Sequence, residues 1–273
     1  MLLITGSNGQ LGRCLHALLP NAVYADVGDL DITKYADVKN FVQVQNIDVI
    51  VNCAAYTNVE KAEEERDLAR EINVIGTENL AKSGASVIQI STDYVFDGTS
   101  SVPYVENDTP NPLSVYGATK YESEKTLFAS AETAIVIRTA WLYSGFGKNF
   151  VKTMRQLGQE RSSLNVVFDQ VGSPTYAPDL ANAIIRVVES LSKGSHEIYH
   201  FSNEGACSWY DFAAAIMRFS RLPCEILPIE SKDFPQKAKR PSFSVLNKSK
   251  IKNFLDIKIP HWQEALEKCI NQF

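Results

Sequence analysis

The stretch L-L-I-T-G-S-N-G-Q-L-G (residues 2–12) decides the fold. Its apolar start predicts a buried strand over Leu2–Thr5, and the glycines then lead into an apolar helical pattern that ends at Pro20. Glycines at such a turn let the backbone approach a pyrophosphate, and the helix N-terminus supplies N–H groups and a partial positive charge. The spacing is G-x-x-G-x-x-G rather than the usual G-x-G-x-x-G, and Asn8 is expected to tolerate left-handed geometry. Taken alone, the loop fits dinucleotide binding and a plain helix-capping turn equally well.

An acidic residue at the end of the second predicted strand favours dinucleotide binding. Asp26 stands about 20 residues after the loop, where a carboxylate can accept a hydrogen bond from a ribose 2′-hydroxyl. Asp31 and Ile32 follow shortly after, and we expect them to border the adenine. The loop and its context together therefore predict a dinucleotide site.

Strands and helices alternate along the first half of the chain. Short apolar, β-branched runs predict strands, and the stretches between them have helical periodicity. The predicted strands are Leu2–Thr5, Ala22–Asp26, Asp48–Asn52, Ser86–Ser91 and Ala134–Arg138, and the main predicted helices cover residues 38–44, 62–83 and 115–129. This alternation predicts an α/β fold, a Rossmann-type doubly wound parallel sheet with helices on both faces.

The pattern changes after residue 141, where turn residues multiply and the predicted elements become short. We therefore expect a dinucleotide-binding Rossmann domain over residues 1–141 and a smaller C-terminal substrate-binding lobe over residues 142–273. A helix over residues 179–192 and a strand over 197–202 follow, and we expect residues 179–203 to fold back onto the first domain.

The composition excludes several classes of protein. With 273 residues, 45% hydrophobic and 22% charged, the chain can bury a core and is not disordered. The net charge of −5 argues against a nucleic-acid-binding face, and no window approaches the roughly 18 consecutive apolar residues of a membrane span. The five cysteines form no C-x-x-C pair, and no signal peptide is visible. We therefore expect a cytoplasmic protein that binds neither nucleic acid nor membrane.

Tyr116 and Lys120 are the first catalytic candidates. In a helix, side chains at i and i+4 share a face, roughly 5–6 Å apart at Cβ. A nearby ammonium favours the phenolate, so we expect Lys120 to lower the pKa of Tyr116 from about 10. Such a tyrosine can give a proton to a carbonyl oxygen while a hydride reaches the carbon.

The Y-x-x-x-K pattern also begins at Tyr35 and at Tyr121, and position decides among the three. Tyr35 follows the second strand, on the adenine side of such a sheet, and Tyr121 points about 140° round the helix from Tyr116. Tyr116 follows the strand that ends in S-T-D (91–93), and ligands of open α/β sheets bind outside the carboxyl ends of strands. We expect the Thr92 hydroxyl there to bond the same carbonyl oxygen.

Together these motifs resemble the extended short-chain dehydrogenases/reductases and, within them, the dTDP-4-dehydrorhamnose reductase family. The more specific stretches are C-A-A-Y-T-N-V-E-K-A-E (53–63), S-T-D-Y-V-F-D-G (91–98), R-T-A-W-L-Y (138–143), D-Q-V-G-S-P-T (169–175) and A-K-R-P (238–241). The resemblance extends over nearly all of the chain. It implies an NADPH- or NADH-dependent reduction of the C4 keto group of dTDP-4-dehydro-β-L-rhamnose.

The resemblance also implies roles for individual residues. Thr92, Tyr116 and Lys120 become a catalytic triad with Tyr116 as proton donor. The residues expected around the dinucleotide, from the loop and the resemblance together, are Gly6, Gly9, Gln10, Leu11, Gly12, Asp26, Asp31, Ile32, Ala55, Tyr56, Thr57, Ile90, Tyr116 and Lys120. The residues expected around the substrate are Thr92, Asp93, Trp141 and Arg240.

Two positions bear on the cofactor and on assembly. Asp26 would repel a 2′-phosphate, which favours NADH slightly, although neighbouring Arg13 could offset the repulsion.

Some family members dimerise around Mg²⁺ through a glutamate, and the matching position here is Cys14. A thiol is a poor Mg²⁺ ligand, so we expect no metal and a monomer or weak homodimer.

Several features remain open. The basic cluster Lys237–Arg240 is either a diphosphate pocket, with Arg240 as the best candidate, or a solvated loop. Trp141, Tyr143, Phe146 and Tyr176 lie in predicted loops, where each either stacks on a ligand or only packs. The run E-E-E (63–65) is most simply a solvated helix face.

The run H-E-I-Y-H (196–200) matches the zinc-protease motif H-E-x-x-H, which requires a helix. Its composition favours a strand, so we do not expect a metalloprotease. Two other functions stay open: a reductase of another nucleotide-4-keto-hexose, and a non-catalytic dinucleotide-binding regulatory subunit.

Overall fold

A computed structural model describes all residues from Met1 to Phe273. The strands are β1 (Leu2–Thr5), β2 (Val23–Ala25), β3 (Val49–Asn52), β4 (Ser86–Thr92), β5 (Ala134–Thr139), β6 (Leu142–Tyr143), β7 (Ser163–Val167), β8 (Val171–Gly172), β9 (Thr175–Tyr176), β10 (His196–His200), β11 (Cys207–Ser208) and β12 (Glu225–Ile229). The α-helices are α1 (Gln10–Leu18), α2 (Tyr35–Val44), α3 (Val59–Ala62), α4 (Arg66–Arg70), α5 (Gly76–Ala81), α6 (Val115–Ser130), α7 (Phe150–Glu160), α8 (Ala177–Glu189), α9 (Trp209–Ser220), α10 (Ser249–Leu255) and α11 (Trp262–Ile270).

Six strands form one parallel sheet in the order β2-β1-β3-β4-β5-β10. In the register, Leu3 of β1 pairs with Val23 on one side and with Ile50 on the other. The strand order therefore reverses next to β1, and in sheets of this type ligands bind at that reversal.

Both faces of the sheet are covered by helices, because alternate residues of each strand point to opposite sides. Leu3 and Val87 pack in the core that holds α2, α5 and the buried face of α6. Ile4 and Ile88 pack in a second core with α1 and α8. The predicted Rossmann-type doubly wound parallel sheet is thus confirmed.

A separate core organises much of the C-terminal part of the chain. Helices α7, α9 and α11 enclose buried side chains that include Phe212 and Leu266, and the parallel pair β7–β12 packs beside α9. Asn149 caps α7, since its side chain accepts a hydrogen bond from the Lys152 backbone N–H at 3.1 Å. The sequence did not predict α7, β7 or β12.

The C-terminal half also contributes to the first core. Helix α8 packs against α1, and β10 extends the sheet by pairing with β5. Ile251 and Leu255 of α10 join the same core. The division into residues 1–141 and 142–273 stays a prediction, and the packing adds residues beyond 203 to the first unit.

The long helix predicted over residues 62–83 is interrupted. A turn of π-helix, Glu71–Ile75, connects α4 to α5, and α3 is a separate short helix. None of the helices is both long and apolar enough to span a membrane.

Candidate active site

A cavity of about 900 Å³ lies at the carboxyl ends of the sheet strands, under residues of the C-terminal half. Of the predicted site residues, it is lined by Gly6, Gly9, Gln10, Leu11, Gly12, Asp26, Asp31, Ile32, Ala55, Thr57, Ile90, Thr92, Asp93, Tyr116, Lys120, Trp141 and Arg240. Tyr56 is the exception, since it does not contribute to the wall. One cavity therefore brings the predicted dinucleotide, catalytic and substrate residues together.

The glycine loop is shaped by backbone contacts. Gly6 has φ +61°, and a Cβ there would lie 2.6 Å from the backbone nitrogen of Ala54. A Cβ on Gly12 would lie 2.5 Å from the carbonyl oxygen of Gly6. Left-handed geometry in this loop is found at Gly6 and not at Asn8, and the segment after β3 passes too close to Gly6 for a side chain.

Asp26 holds the outer side of this loop. One of its carboxylate oxygens accepts a hydrogen bond from the Asn8 backbone N–H at 2.8 Å, and the other accepts from the Val27 N–H at 2.9 Å. Arg13 donates from Nε to the Asn8 carbonyl at 3.0 Å. The two side chains expected to discriminate NADH from NADPH therefore bond the backbone of the same residue.

Tyr116 and Lys120 lie in the first turns of α6. Ser114 caps this helix by accepting a hydrogen bond from the Gly117 backbone N–H at 3.2 Å, which places Tyr116 at the cavity. The Lys120 ammonium donates to the Ile90 carbonyl oxygen at 2.6 Å. Lys120 is thereby tied to the strand that carries Thr92.

The expectation of a Tyr116 pKa below about 10 is wrong in this structure, because burial outweighs the neighbouring groups. Burial raises the pKa of Tyr116 to about 12, although the Thr92 hydroxyl opposes the rise. Burial likewise lowers the pKa of Lys120 to about 8, against the attraction of Glu124. The cause is the same for both groups. Transferring the charged form from water into the protein costs more free energy than the interactions with these neighbours recover.

Thr92 and Asp93 follow one another at the end of β4. The Thr92 hydroxyl donates to Asp93 Oδ1 at 3.1 Å and accepts from the Tyr94 backbone N–H at 3.2 Å. The other oxygen of Asp93 is buried without a hydrogen-bond partner. Burial raises the pKa of Asp93 to about 7.

A buried ion pair supports the catalytic helix from below. Arg138 of β5 donates from Nη2 to Glu124 Oε2 at 2.7 Å and from Nε to Glu124 Oε1 at 3.0 Å. Both side chains are only 2% exposed, and Ser91 also donates to Glu124. Glu124 lies one turn after Lys120, and the sequence reasoning did not identify it.

The π-helical turn carries a second supporting residue. Asn73 accepts a hydrogen bond from the Tyr56 backbone N–H at 2.8 Å and donates to the Thr119 hydroxyl at 3.0 Å. It therefore ties the segment after β3 to α6. The Tyr56 phenol points away to Glu65, which explains why only its neighbours Ala55 and Thr57 line the cavity.

Trp141 stacks on a second tryptophan and contacts β8. Its backbone is left-handed at φ +47°, and its ring stacks on Trp209 with centroids 3.5 Å apart and planes at 9°. A Cβ on Gly172 would lie 2.7–2.9 Å from three adjacent atoms of the indole, so no side chain fits between β8 and the ring. Trp209 therefore covers one face of the ring, and Trp141 also contributes to the cavity wall.

The other aromatic candidates do not line the cavity. Tyr143 and Tyr176 are each 1% exposed and pack in the C-terminal core. Phe146 is exposed but lies outside the wall. Trp209, which the sequence reasoning passed over, does line it as the first residue of α9.

The structure also locates the H-E-I-Y-H run, the other two Y-x-x-x-K tyrosines and the acidic run 63–65. The H-E-I-Y-H run forms β10, where His196 contacts the Ala131 carbonyl at 2.9 Å and His200 contacts the Tyr104 carbonyl at 3.1 Å. Tyr35 and Tyr121, the other two Y-x-x-x-K tyrosines, lie outside the cavity wall.

The interpretation of residues 63–65 as a purely solvated face is wrong. All three carboxylates form hydrogen bonds or ion pairs with other segments.

Comparison with known proteins identifies the family. The model of the family described as RmlD substrate binding domain matches residues 1–273. A dTDP-4-dehydrorhamnose reductase from Aggregatibacter actinomycetemcomitans is 41% identical, over 97% of each chain.

Two solved structures are similar over almost their full length. One is a dTDP-4-dehydrorhamnose reductase from Clostridium acetobutylicum, at 42% identity and a TM-score of 0.94, covering 99% of this chain and 98% of that one. Another, from Bacillus anthracis in complex with NADP, has 39% identity and a TM-score of 0.95, covering 100% of this chain and 99% of that one. With its glycine loop, its Thr92–Tyr116–Lys120 constellation and its full-length match, the chain belongs to the RmlD substrate binding domain family, among the dTDP-4-dehydrorhamnose reductases.

Proposed function

We propose that the chain reduces the C4 keto group of dTDP-4-dehydro-β-L-rhamnose to give dTDP-L-rhamnose, with NADPH or NADH as reductant. The observation that carries this proposal is the single cavity, which has the glycine loop in one part of its wall and Thr92, Tyr116 and Lys120 in another. The substrate follows from the name shared by the full-length relatives.

The residues present fit a nicotinamide dinucleotide. Helix α1 begins without a side-chain cap and without an acidic residue in its first turn, so its N–H groups remain available to a pyrophosphate. Asp26 stands at the end of β2, where a ribose hydroxyl is bound in this fold. We assign to the dinucleotide the predicted set given above except Tyr56, whose backbone N–H and carbonyl are both bonded to Asn73. When bound, the dinucleotide supplies the hydride.

Tyr116 is the proposed proton donor to the C4 oxygen. Because burial raises its pKa to about 12, the phenol holds its proton at neutral pH and has one to give. Thr92 lines the same cavity as this phenol, and we expect its hydroxyl to bond the same carbonyl oxygen. The positive charge of Lys120, one turn further along α6, stabilises the phenolate that the transfer leaves.

Asp93, Trp141 and Arg240 are the proposed substrate residues. The unpartnered buried oxygen of Asp93 can accept a hydrogen bond from a sugar hydroxyl, which would satisfy it. Trp141 lines the cavity, and the Arg240 guanidinium suits a diphosphate.

The test is oxidation of the reduced dinucleotide in the presence of dTDP-4-dehydro-β-L-rhamnose, with the product identified as dTDP-L-rhamnose. Turnover with this sugar and not with other nucleotide-4-keto-hexoses is the expected result. Dinucleotide binding without turnover on any such sugar would contradict the proposal and favour a regulatory subunit.

We further propose that the chain works as a monomer or weak homodimer in the cytoplasm. Cys14 is 4% exposed and packs in the α1–α8 core, so it offers no ligand for a Mg²⁺-linked dimer, and all five cysteines are unpaired thiols. The molar mass in solution, measured with and without Mg²⁺, tests the assembly; a stable dimer formed only with Mg²⁺ would refute it.

A further inference from the structure

The carboxylate of Glu60 on α3 binds the basic segment that predicted a diphosphate pocket. One of its oxygens accepts hydrogen bonds from the backbone N–H groups of Lys237 at 2.7 Å and Ala238 at 3.3 Å. Its other oxygen accepts from Arg240 Nη2 at 3.0 Å. A single side chain therefore accepts three hydrogen bonds from three residues of the segment 237–240, as a bound anion would.

This contact differs from the neighbouring ion pair between Glu64 and Lys237. There the two side chains are 59% and 66% exposed, whereas Glu60 and Arg240 are 37% and 25% exposed. Exposed pairs contribute little to stability or position. Burial raises the pKa of Glu60, but the hydrogen bonds from Lys237 and Arg240 outweigh burial and hold the pKa below its usual value.

The segment is also held just beyond Arg240. A Cβ on Gly98 would lie 2.6 Å from the Ser242 backbone nitrogen, so the two chains are in close contact, and Ser242 Oγ donates to the Gly98 carbonyl at 3.0 Å. The segment is therefore held by its contacts with Gly98 and by the Glu60 carboxylate of α3. Val59, adjacent to Glu60, lines the cavity itself.

Arg240 retains donors for a ligand, since Glu60 is the only hydrogen-bond partner of its five N–H groups within the chain. Its guanidinium lines the cavity, and its Nε is buried without a hydrogen-bond partner. Glu60 thus binds the Nη2 group of the guanidinium and fixes the orientation of the side chain. An anion in the cavity can then meet a guanidinium that is already oriented.

We propose that Glu60 is the positioning residue that holds Arg240 and the segment 237–240 in place for the diphosphate of the sugar nucleotide. This inference rests on the proposed function. Glu60 itself does not touch the reacting atoms; it acts through Arg240 and the backbone of the segment.

The test compares Glu60→Gln with Glu64→Gln. Both Glu60 oxygens accept from donors, so a glutamine must turn its NH₂ group towards either the backbone amides or Arg240, and a contact is lost. In Glu60→Gln, we expect the KM for the sugar nucleotide to rise about tenfold, kcat to change less, and the Kd for the dinucleotide to stay unchanged. Glu64→Gln is the matched control, expected to leave all three constants unchanged.

Two further measurements do not depend on turnover. The Kd for thymidine diphosphate, by titration, should rise in Glu60→Gln and not in Glu64→Gln. Trypsin cleavage after Lys237 and Lys239 should accelerate more in Glu60→Gln than in Glu64→Gln. Equal constants and equal cleavage in the two variants would overturn the inference. Absence of thymidine diphosphate binding in the unmodified protein, with accelerated cleavage retained in Glu60→Gln, would instead overturn the proposed substrate.

Discussion

Tyr116 keeps its proton in this site although Lys120 lies one helical turn away. The tyrosine is buried enough for its pKa to rise to about 12, and Lys120 is buried enough for its own pKa to fall to about 8. A sequence motif cannot reveal this, because the cost of burial depends on what covers the pair. The order of events follows: the phenol gives its proton, and the lysine stabilises the result.

The lowered pKa of Lys120 predicts a pH dependence. Lys120 carries its charge below its pKa and loses it as the pH rises through about 8, so kcat should fall above that pH. In Lys120→Arg the charge is kept far into the alkaline range, since the guanidinium pKa exceeds 12. When kcat is measured from about pH 6 to about pH 10, we therefore expect the decrease at alkaline pH to be absent in Lys120→Arg. This expectation holds whatever the absolute kcat of the variant. The same limb in both proteins would show that another group titrates.

Asp26 should set the preference between the two dinucleotides. Its carboxylate disfavours a 2′-phosphate, and Asp26→Asn removes the charge while keeping an oxygen for the Asn8 backbone N–H. We expect the ratio of kcat/KM for NADPH over NADH to rise about tenfold, equivalent to ~1.4 kcal/mol. Asp29→Asn is the control, because Asp29 bonds the Asp26 backbone N–H but does not line the cavity. An unchanged ratio in Asp26→Asn would remove Asp26 from the specificity determinants.

The contact between β8 and the Trp141 loop explains the glycine of D-Q-V-G-S-P-T. Gly172 lies over the Trp141 indole, and no side chain fits between the two. Gly172→Ala should displace the indole, lower kcat/KM for the sugar nucleotide about tenfold or more and destabilise the fold by roughly 1–3 kcal/mol. Thermal unfolding and tryptophan fluorescence report the displacement, and kinetics report its effect. Gly145→Ala, where an added Cβ meets nothing within 4 Å, should change neither.

The strands and helices that the sequence predicted have strong periodicity or β-branched runs, and their neighbours in the sheet follow from the βαβ rule. The elements it missed break those patterns. Strand β12 contains Pro228, which argues against a strand, but β12 pairs only with β7 and is an edge strand where proline is tolerated. The π-turn at Glu71–Ile75 has no sequence signal of its own, since Asn73 gains its partners only from tertiary packing.

Across the complete chain, the parts of the site that escaped prediction are those assembled from distant segments. Glu60 meets its partners 177 to 180 residues further on, and Glu124 is matched by Arg138 on another element. The motifs could be placed on strand ends and helix starts, because local patterns determine these positions. Which acidic side chain pairs with which basic one, and which ring stacks on Trp141, depends on three-dimensional packing that local patterns do not encode.

The role of Tyr116 in the reduction is tested most directly by comparing Tyr116→Phe with Tyr121→Phe. Both tyrosines begin a Y-x-x-x-K pattern on α6, but only Tyr116 lines the cavity. With dTDP-4-dehydro-β-L-rhamnose and a reduced dinucleotide, we expect kcat to fall about a hundredfold or more in Tyr116→Phe, because the proton donor is lost. The dinucleotide Kd should change little, and Tyr121→Phe should keep the rate of the unmodified protein. Undiminished turnover in Tyr116→Phe would contradict the assigned mechanism.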